Sequence, residues 1–342
     1  MNHDQYYCVA IRTLGKAGEK FQQELDSLVN QTLPPKRILV YLAEGYDRPK
    51  ETVGIEEIIY CPKGMVSQRA RDYQEVDTPY VLMLDDDVYL PPTAVEQMMK
   101  TLEEEQADCV VADTFPSQEM SLKNKLFATI TNWATPHHDQ QWGIKIGRTA
   151  TFSYLNNPKK DYYPSQSGAG PCSLWRMSAF KNIHYTDELW LDRLGFAYGD
   201  EMFFFHKLYR NGGKLLIHYT CGAKHLDAQS SRTAYKQDPG RLMKRARSWF
   251  ILWWRTQYEA KDLSAFERCL SIICYTLKVL YDILLHLLYS ICRLSYKPLY
   301  NYVKGTLAGY RFVHTDDYKK VPNFILKFAV HSSQLVKIEY EL

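Results

Sequence analysis

Val81-Leu82-Met83-Leu84-Asp85-Asp86-Asp87-Val88-Tyr89-Leu90-Pro91-Pro92 sets three consecutive carboxylates directly after four apolar residues and closes them with a Pro-Pro pair. An aliphatic run of this kind reads as a buried strand of a covered sheet. The acids then emerge at its carboxyl end, where open α/β sheets bind ligands. Side chains alternate along a strand, which lets Asp85 and Asp87 face one way and Asp86 the other. Three like charges this close repel unless something positive joins them. A hard divalent cation, Mn2+ or Mg2+, satisfies them and leaves positions open for substrate phosphates. A solvated acidic strand-end loop is the plainer alternative.

Upstream, Tyr7–Thr13 reads as a first strand and residues 18–31 as an amphipathic helix with Phe21, Leu25, Leu28 and Val29 on one face. Residues 37–42 form a second strand ending at Glu44-Gly45, and 57–60 a short third. Residues 64–73 open a helix that leads through Thr78-Pro79 into the acidic strand. This order is a doubly wound nucleotide-binding layout. No Gly-x-Gly-x-x-Gly follows the first strand and no Gly-Lys-Ser/Thr loop occurs, which removes dinucleotide dehydrogenases and P-loop enzymes. A phosphatase with Asp-x-Asp-x-Thr/Val is excluded by Tyr89. A prenyl-diphosphate site is excluded by the missing third carboxylate and by Pro91-Pro92, which forbid a helix there.

Downstream lie a small-residue loop, Ser167-Gly168-Ala169-Gly170-Pro171, then Gly199-Asp200-Glu201 opening an aromatic-rich helix, and His225 after an apolar strand at 215–219. Paired acids at a helix start are also favoured by the macrodipole without any chemistry. A lone His is more often an ordinary core or surface residue.

Taken together, these elements resemble the family 2 glycosyltransferases of the GT-A fold. The resemblance rests on Arg12-Thr13, on Glu44, on Gly64 with Arg69 five residues later, and on Asp85-x-Asp87, and it extends to about Arg255. It implies an α/β, GT-A-type nucleotide-binding fold with a mostly parallel central sheet flanked by helices, plus a C-terminal helical appendage. The expected division is a catalytic domain over 1–260, with a nucleotide-binding half at 1–112 and an acceptor-binding half at 113–260, followed by a helical region at 261–342. By the resemblance, Arg12, Thr13, Glu44, Arg69, Asp85 and Asp86 bind the donor nucleotide, and Asp87 and His225 hold the metal. Gly168, Ala169 and Gly170 face the donor sugar, and Arg247 and Trp249 lie at the diphosphate. Asp200 or Glu201 is the base; the family usually has Glu then Asp, and the inverted order here leaves both open.

The physical logic agrees. Departure of a nucleoside diphosphate develops charge that a divalent ion and an Arg stabilise, and the attacking hydroxyl must lose a proton to a carboxylate or His. Residues 115–163 are rich in Trp, His and Tyr, and aromatic faces stack on sugar rings, so Trp133 and Trp142 are acceptor candidates. The expected reaction is inverting, metal-dependent transfer from a nucleoside-diphosphate sugar, a UDP-sugar in the first instance, to a hydroxyl of a glycan or lipid-linked glycan. A nucleotidyltransferase acting on sugar phosphates, or a non-catalytic membrane-surface protein that keeps the fold, is the alternative.

Residues 270–292 are long enough to cross a bilayer, but Lys278, Asp282, His286 and Ser290 recur at every fourth position on one face. Central charges cost about 2.5 to 3.5 kcal/mol each in hydrocarbon. The expectation is therefore an in-plane amphipathic helix with this stripe in the headgroups; a helix packed on the enzyme core, or on a second subunit of a homo-oligomer, is the alternative. With 42 Lys+Arg against 39 Asp+Glu in 342 residues, no basic stripe points to nucleic acid. Eight scattered cysteines without a Cys-x-x-Cys pair fit reduced thiols. The opening residues lack a basic-then-apolar leader, so the expected location is cytoplasmic, peripheral on the cytoplasmic face of the inner membrane.

Overall fold

The computed structural model describes residues 7–114, 134–194, 199–228 and 238–326. Its first half runs β1 (Tyr7–Thr13), α1 (Glu19–Val29), β2 (Arg37–Ala43), β3 (Glu56–Cys61), β4 (Tyr80–Asp85), β5 (Val88–Tyr89), α2 (Ala94–Glu104) and β6 (Cys109–Ala112). After it come β7 (Ala134–His137), β8 (Ile144–Ile146), β9 (Phe152–Leu155), β10 (Tyr162–Pro164), β11 (Cys172–Arg176), α3 (Met177–Asn182), a 3-10 segment (Tyr185–Leu194), α4 (Asp200–Arg210), β12 (Leu215–His218) and β13 (Lys224–His225). The C-terminal region is helical: α5 (Arg241–Trp253), α6 (Ala265–Cys292), α7 (Lys297–Val313) and α8 (Asp316–Lys319).

Eight strands form one mixed sheet in the order β10-β12-β6-β11-β4-β1-β2-β3. β4, β1, β2 and β3 are parallel, as are β12 and β6, whereas β11 runs antiparallel to both β6 and β4, and β10 antiparallel to β12. The strand alternation divides the core into two layers. Leu82 and Leu84 join α1 and α2 on one face, while Val81 and Met83 join Trp175, Phe203 to Phe205 and α5 on the other.

Two expectations change. Residues 64–73 do not form a helix; they make turns, because Asp192 takes the amides of Val66 (3.0 Å) and Ser67 (2.8 Å) and Tyr73 turns to a φ of 45°. Finally, the polar stripe of α6 does not face outward. Lys278 and Tyr302 of α7 both donate to Asp282, at 2.5 and 2.9 Å, and the Ser290 hydroxyl accepts from the Leu299 amide at 3.1 Å. A buried carboxylate needs such partners, and α7 supplies them.

α7 in turn lies on α5 at close range: a Cβ at Gly305 would fall 2.2 Å from the Met243 carbonyl, and one at Gly309 would fall 2.9 Å from that of Arg247. Deeper in, Glu188 is fully buried and accepts from Arg255 at 2.7 and 2.9 Å and from Lys207 at 3.1 Å, tying the chain after α5 to α4.

His206 on α4 is buried, with Nδ1 bonded to the Gln166 carbonyl at 2.9 Å and Arg210 donating to Nε2 at 3.4 Å. Burial, then Arg210, push its pKa down from 6.5 to about 3. The unfolded chain therefore takes up this proton first, so the stabilisation is complete above about 6.5 and is lost as pH falls toward about 3. Urea unfolding at pH 7 and pH 5 should show stability falling by up to about 1.4 kcal/mol per pH unit from this group, and His206→Gln should flatten that slope.

Candidate active site

The register of three strands assembles the site. β1 pairs with β4 so that Arg12 stands opposite Asp85, and the two form an ion pair at 2.5 Å. On the other side, β11 pairs with β4 through Cys172 and Leu84, and the Asp85 amide donates to the Pro171 carbonyl at 3.0 Å. This draws Gly170 beside the acids, where its carbonyl accepts from Arg12 at 3.2 Å.

Asp86 faces away, as the alternation requires. It is buried and accepts from the Thr13 hydroxyl at 2.5 Å; that hydroxyl in turn accepts from the Gly15 amide at 2.7 Å. Burial, with Asp87 and Asp85 adding to it against the Thr13 bond, pushes the Asp86 pKa up to about 7. Asp86 and Thr13 therefore hold the loop after β1, with both side chains out of solvent.

Asp87 leads in a different direction. β5 and β13 pair His225 with Val88, so that His225 Nε2 lies 3.1 Å from Asp87 Oδ1, while the Ala228 amide donates to Oδ2 at 2.7 Å. Burial works to raise the Asp87 pKa, but His225, Ala228 and Lys20 outweigh it and hold the carboxyl below its usual range. The Asp87 bond raises His225 against the opposing effect of burial.

The second half of the site opens α4. Gly199 adopts a φ of 85°, a conformation that favours glycine, and presents Asp200 and Glu201 at the positive end of the helix. Arg69, buried, donates to Asp200 at 2.5 Å and to Glu201 Oε1 at 3.2 Å, and the Gly170 amide donates to Glu201 Oε2 at 3.1 Å. Asp200 is sealed, and burial raises its pKa with Arg69 opposing. The Glu201 side chain is 37% exposed. A Cβ at Gly170 would lie 2.5 Å from Glu201 Cδ and 2.9 Å from Arg69 Nη2, so any larger residue there would push those two side chains aside.

The structure thus brings Arg12, Asp85, Gly170, Arg69, Asp200 and Glu201 together, with Asp87 and His225 adjoining. Gly168 sits against Val111 and Phe205 on the core side, and Ala169 is half-buried between the two glycines. Glu44 is exposed on the turn after β2. Next to it the Tyr46 ring lies beneath Lys16 and Lys63, at 4.8 and 5.0 Å from its centroid, an electropositive patch with no sequence signal.

Other candidates lie elsewhere. Trp142 packs edge-on against Tyr209, at the far end of α4 and about 13 Å along it from Asp200. Arg247 is bonded to the Leu194 carbonyl, and Trp249 lies against Gly199. Among the described residues no hydrogen bond joins Arg247 to the acids. Trp133 lies outside the described residues.

Sequence reasoning missed the support beneath the acids. Lys20 on α1 donates to the carbonyls of Leu226 and Asp227 at 2.6 and 2.5 Å, and Glu24, fully buried, accepts from the Val88 amide at 2.8 Å. Gln68 holds the carbonyls of Thr13 and Tyr41. These residues are polar positions on elements chosen for their apolar face, and nothing in their spacing marks them.

Residues 18–183 match the family model described as Glycosyl transferase family 2. The chain carries a family 2 glycosyltransferase domain. This glycosyltransferase domain holds Glu44, Arg69, Asp85 to Asp87 and Gly168 to Gly170, and the match stops before Asp200, Glu201 and His225. Among solved structures, the chain is similar to S. aureus TarS 1-349 at 11% identity and a TM-score of 0.42, covering 91% of this chain and 93% of that one. It is also similar to GalNAc-T7 with UDP, GalNAc and Mn2+ at 12% identity and a TM-score of 0.44, covering 82% of this chain and 57% of that one. No curated protein matches the chain.

Gly170→Ala should displace Glu201 and Arg69 while leaving the sheet intact. Sugar transfer should fall by about 10- to 100-fold, the cost of misplacing a reacting group by about 1 Å, with a circular-dichroism spectrum like that of the parent protein.

Proposed function

We propose that this glycosyltransferase moves a sugar, with inversion, from a nucleoside-diphosphate sugar to a hydroxyl of a glycan or lipid-linked glycan, with Mn2+ or Mg2+ at the diphosphate. The observation that carries the proposal is the unbroken series of contacts Asp85–Arg12–Gly170–Glu201–Arg69–Asp200. It joins the strand-end acids, suited to a cation and a diphosphate, to a carboxylate suited to the acceptor.

Among the described residues no three His, Cys, Asp or Glu side chains converge as a preformed metal cage. Asp87 Oδ1 and His225 Nε2 are nevertheless adjacent at 3.1 Å, with Asp85 two residues from Asp87. One or two carboxylates completed by substrate phosphates is the usual set for Mg2+, so these residues fit the ion. When bound, it would offset charge developing on the departing diphosphate.

Glu201 is the group suited to take the acceptor proton. It is the exposed member of the acidic pair, and the Gly170 amide and Arg69 fix both of its oxygens. Asp200, sealed against Arg69, positions that guanidinium. One displacement, with Glu201 taking the proton of the attacking hydroxyl, inverts the anomeric centre, as the family 2 resemblance implies. Arg12 orients Asp85 and the Gly170 carbonyl, keeping the two halves at a fixed separation.

Purified protein incubated with a panel of nucleotide sugars and either ion should release nucleoside diphosphate from one donor, and EDTA or Asp87→Ala should abolish the release. Glu201→Gln should lower transfer by about 100-fold or more without loss of donor binding. Wild-type transfer by Glu201→Gln would place the base elsewhere, and pyrophosphate as the product would identify nucleotidyl transfer instead.

A further inference from the structure

Helix α6 carries its polar residues inward and its apolar residues outward. On the inner face, Ser271 bonds Trp253 Nε1 at 2.9 Å, Tyr275 stacks on Trp253 at 3.9 Å, and Lys278, Asp282 and Ser290 meet α7 or one another. Ile273, Leu277, Leu280, Leu284, Leu287 and Ile291 lie about 170° round the helix from that row. They form one continuous stripe: Leu277 is 61% exposed, Leu280 58%, Leu284 54% and Ile291 60%. Among the described residues this is the one helix long and apolar enough to cross a membrane, and most of it is uncovered by the rest of the chain.

The neighbouring helix carries one sign of charge. α7 has no acid in its sequence and exposes Lys297, Tyr300, Lys304, Leu307 and Arg311 in a single row along its length. The acids of α6 are engaged: Glu267 in a capping box with Ser264, Asp282 with Lys278 and Tyr302. Arg293 lies over the Tyr289 ring at 5.1 Å and Lys304 over Tyr300 at 5.3 Å, the aromatic-cationic pairing suited to a headgroup layer.

We infer that the outward face of α6 and α7 docks in the plane of an anionic phospholipid bilayer, with the Ile273–Ile291 stripe among the acyl chains and Lys297, Lys304 and Arg311 at the lipid phosphates. Crossing the bilayer is disfavoured, because the inner face of α6 is bonded to Trp253 of α5 through Ser271 and Tyr275 and to α7 through Asp282 and Ser290, and the row on α7 would carry Lys304 into hydrocarbon. Pairing with a second copy would set two faces of the same positive sign together. The polar stripe expected in the headgroups instead fastens the docking helix to the enzyme, and α7 supplies the headgroup contacts. The inference does not rest on the proposed reaction, since binding can be measured without any sugar.

Flotation of the full chain with vesicles tests it. The protein should float with phosphatidylcholine–phosphatidylglycerol vesicles about tenfold more than with phosphatidylcholine alone, and high salt should erase the difference. Leu280→Glu with Leu284→Glu, both at exposed positions, should abolish flotation with an unchanged circular-dichroism spectrum. Lys297→Glu with Lys304→Glu should remove only the preference for the anionic lipid. Flotation by the leucine variant equal to wild type would overturn the inference, as would a wild-type protein that stays unbound. A wild-type dimer that the leucine variant splits, without vesicle binding, would also overturn it and assign the face to a second copy.

Discussion

Arg12 and Asp85 meet because β1 and β4 are parallel and in a register that sets them opposite each other, and their 2.5 Å ion pair is closed on the third side by the Gly170 carbonyl. Arg12 is buried while Asp85 keeps one side toward solvent. Removing Asp85 would leave the buried Arg12 guanidinium without its counter-charge, so the pair resists rearrangement. From it the geometry propagates: Gly170 bears on Glu201, Glu201 on Arg69, and Arg69 on Asp200. The antiparallel entry of β11 makes this possible, since a parallel strand there would deliver its opposite end to the acids.

The acidic triplet serves three separate purposes despite its compactness. Asp85 belongs to the arginine network, Asp86 holds the loop after β1 through Thr13, and Asp87 faces His225 on the short β5–β13 ribbon. Like charges at adjacent positions are tolerable because each has its own partner and the chain turns between them. A second buried network, Glu188 with Arg255 and Lys207, anchors the start of the C-terminal region to the body that carries Asp200.

How much was legible in advance follows from what each residue type can mean alone. The strands, α1 and the helix opened by Asp200 were readable because alternation and 3.6-residue periodicity survive in one sequence. Residues 64–73 were misread as helix because their turns are held by Asp192, more than a hundred residues away in sequence. Trp142 was an acceptor candidate by composition and Arg247 a diphosphate contact by the family resemblance; the fold sets Trp142 against Tyr209 and bonds Arg247 to the Leu194 carbonyl, partners that no local pattern announces. Lys20, Glu24 and Gln68 were invisible because a polar residue on the open face of a helix or in a turn carries no label for its distant partner.

The sequence by itself determined the layered α/β architecture, the carboxyl-end placement of Asp85 to Asp87, the opening of α4 at Asp200 and Glu201, and a long helix with a polar stripe. Each depends on local periodicity, on alternation, or on a glycine at a helix start. Only the tertiary structure decided which member of each acidic group stays open to solvent, and which side of α6 meets the protein. Those choices depend on partners brought together by sheet register and helix docking. Arg69 seals Asp200 and leaves Glu201 half-exposed, and Tyr302 draws Asp282 inward and turns the leucines out.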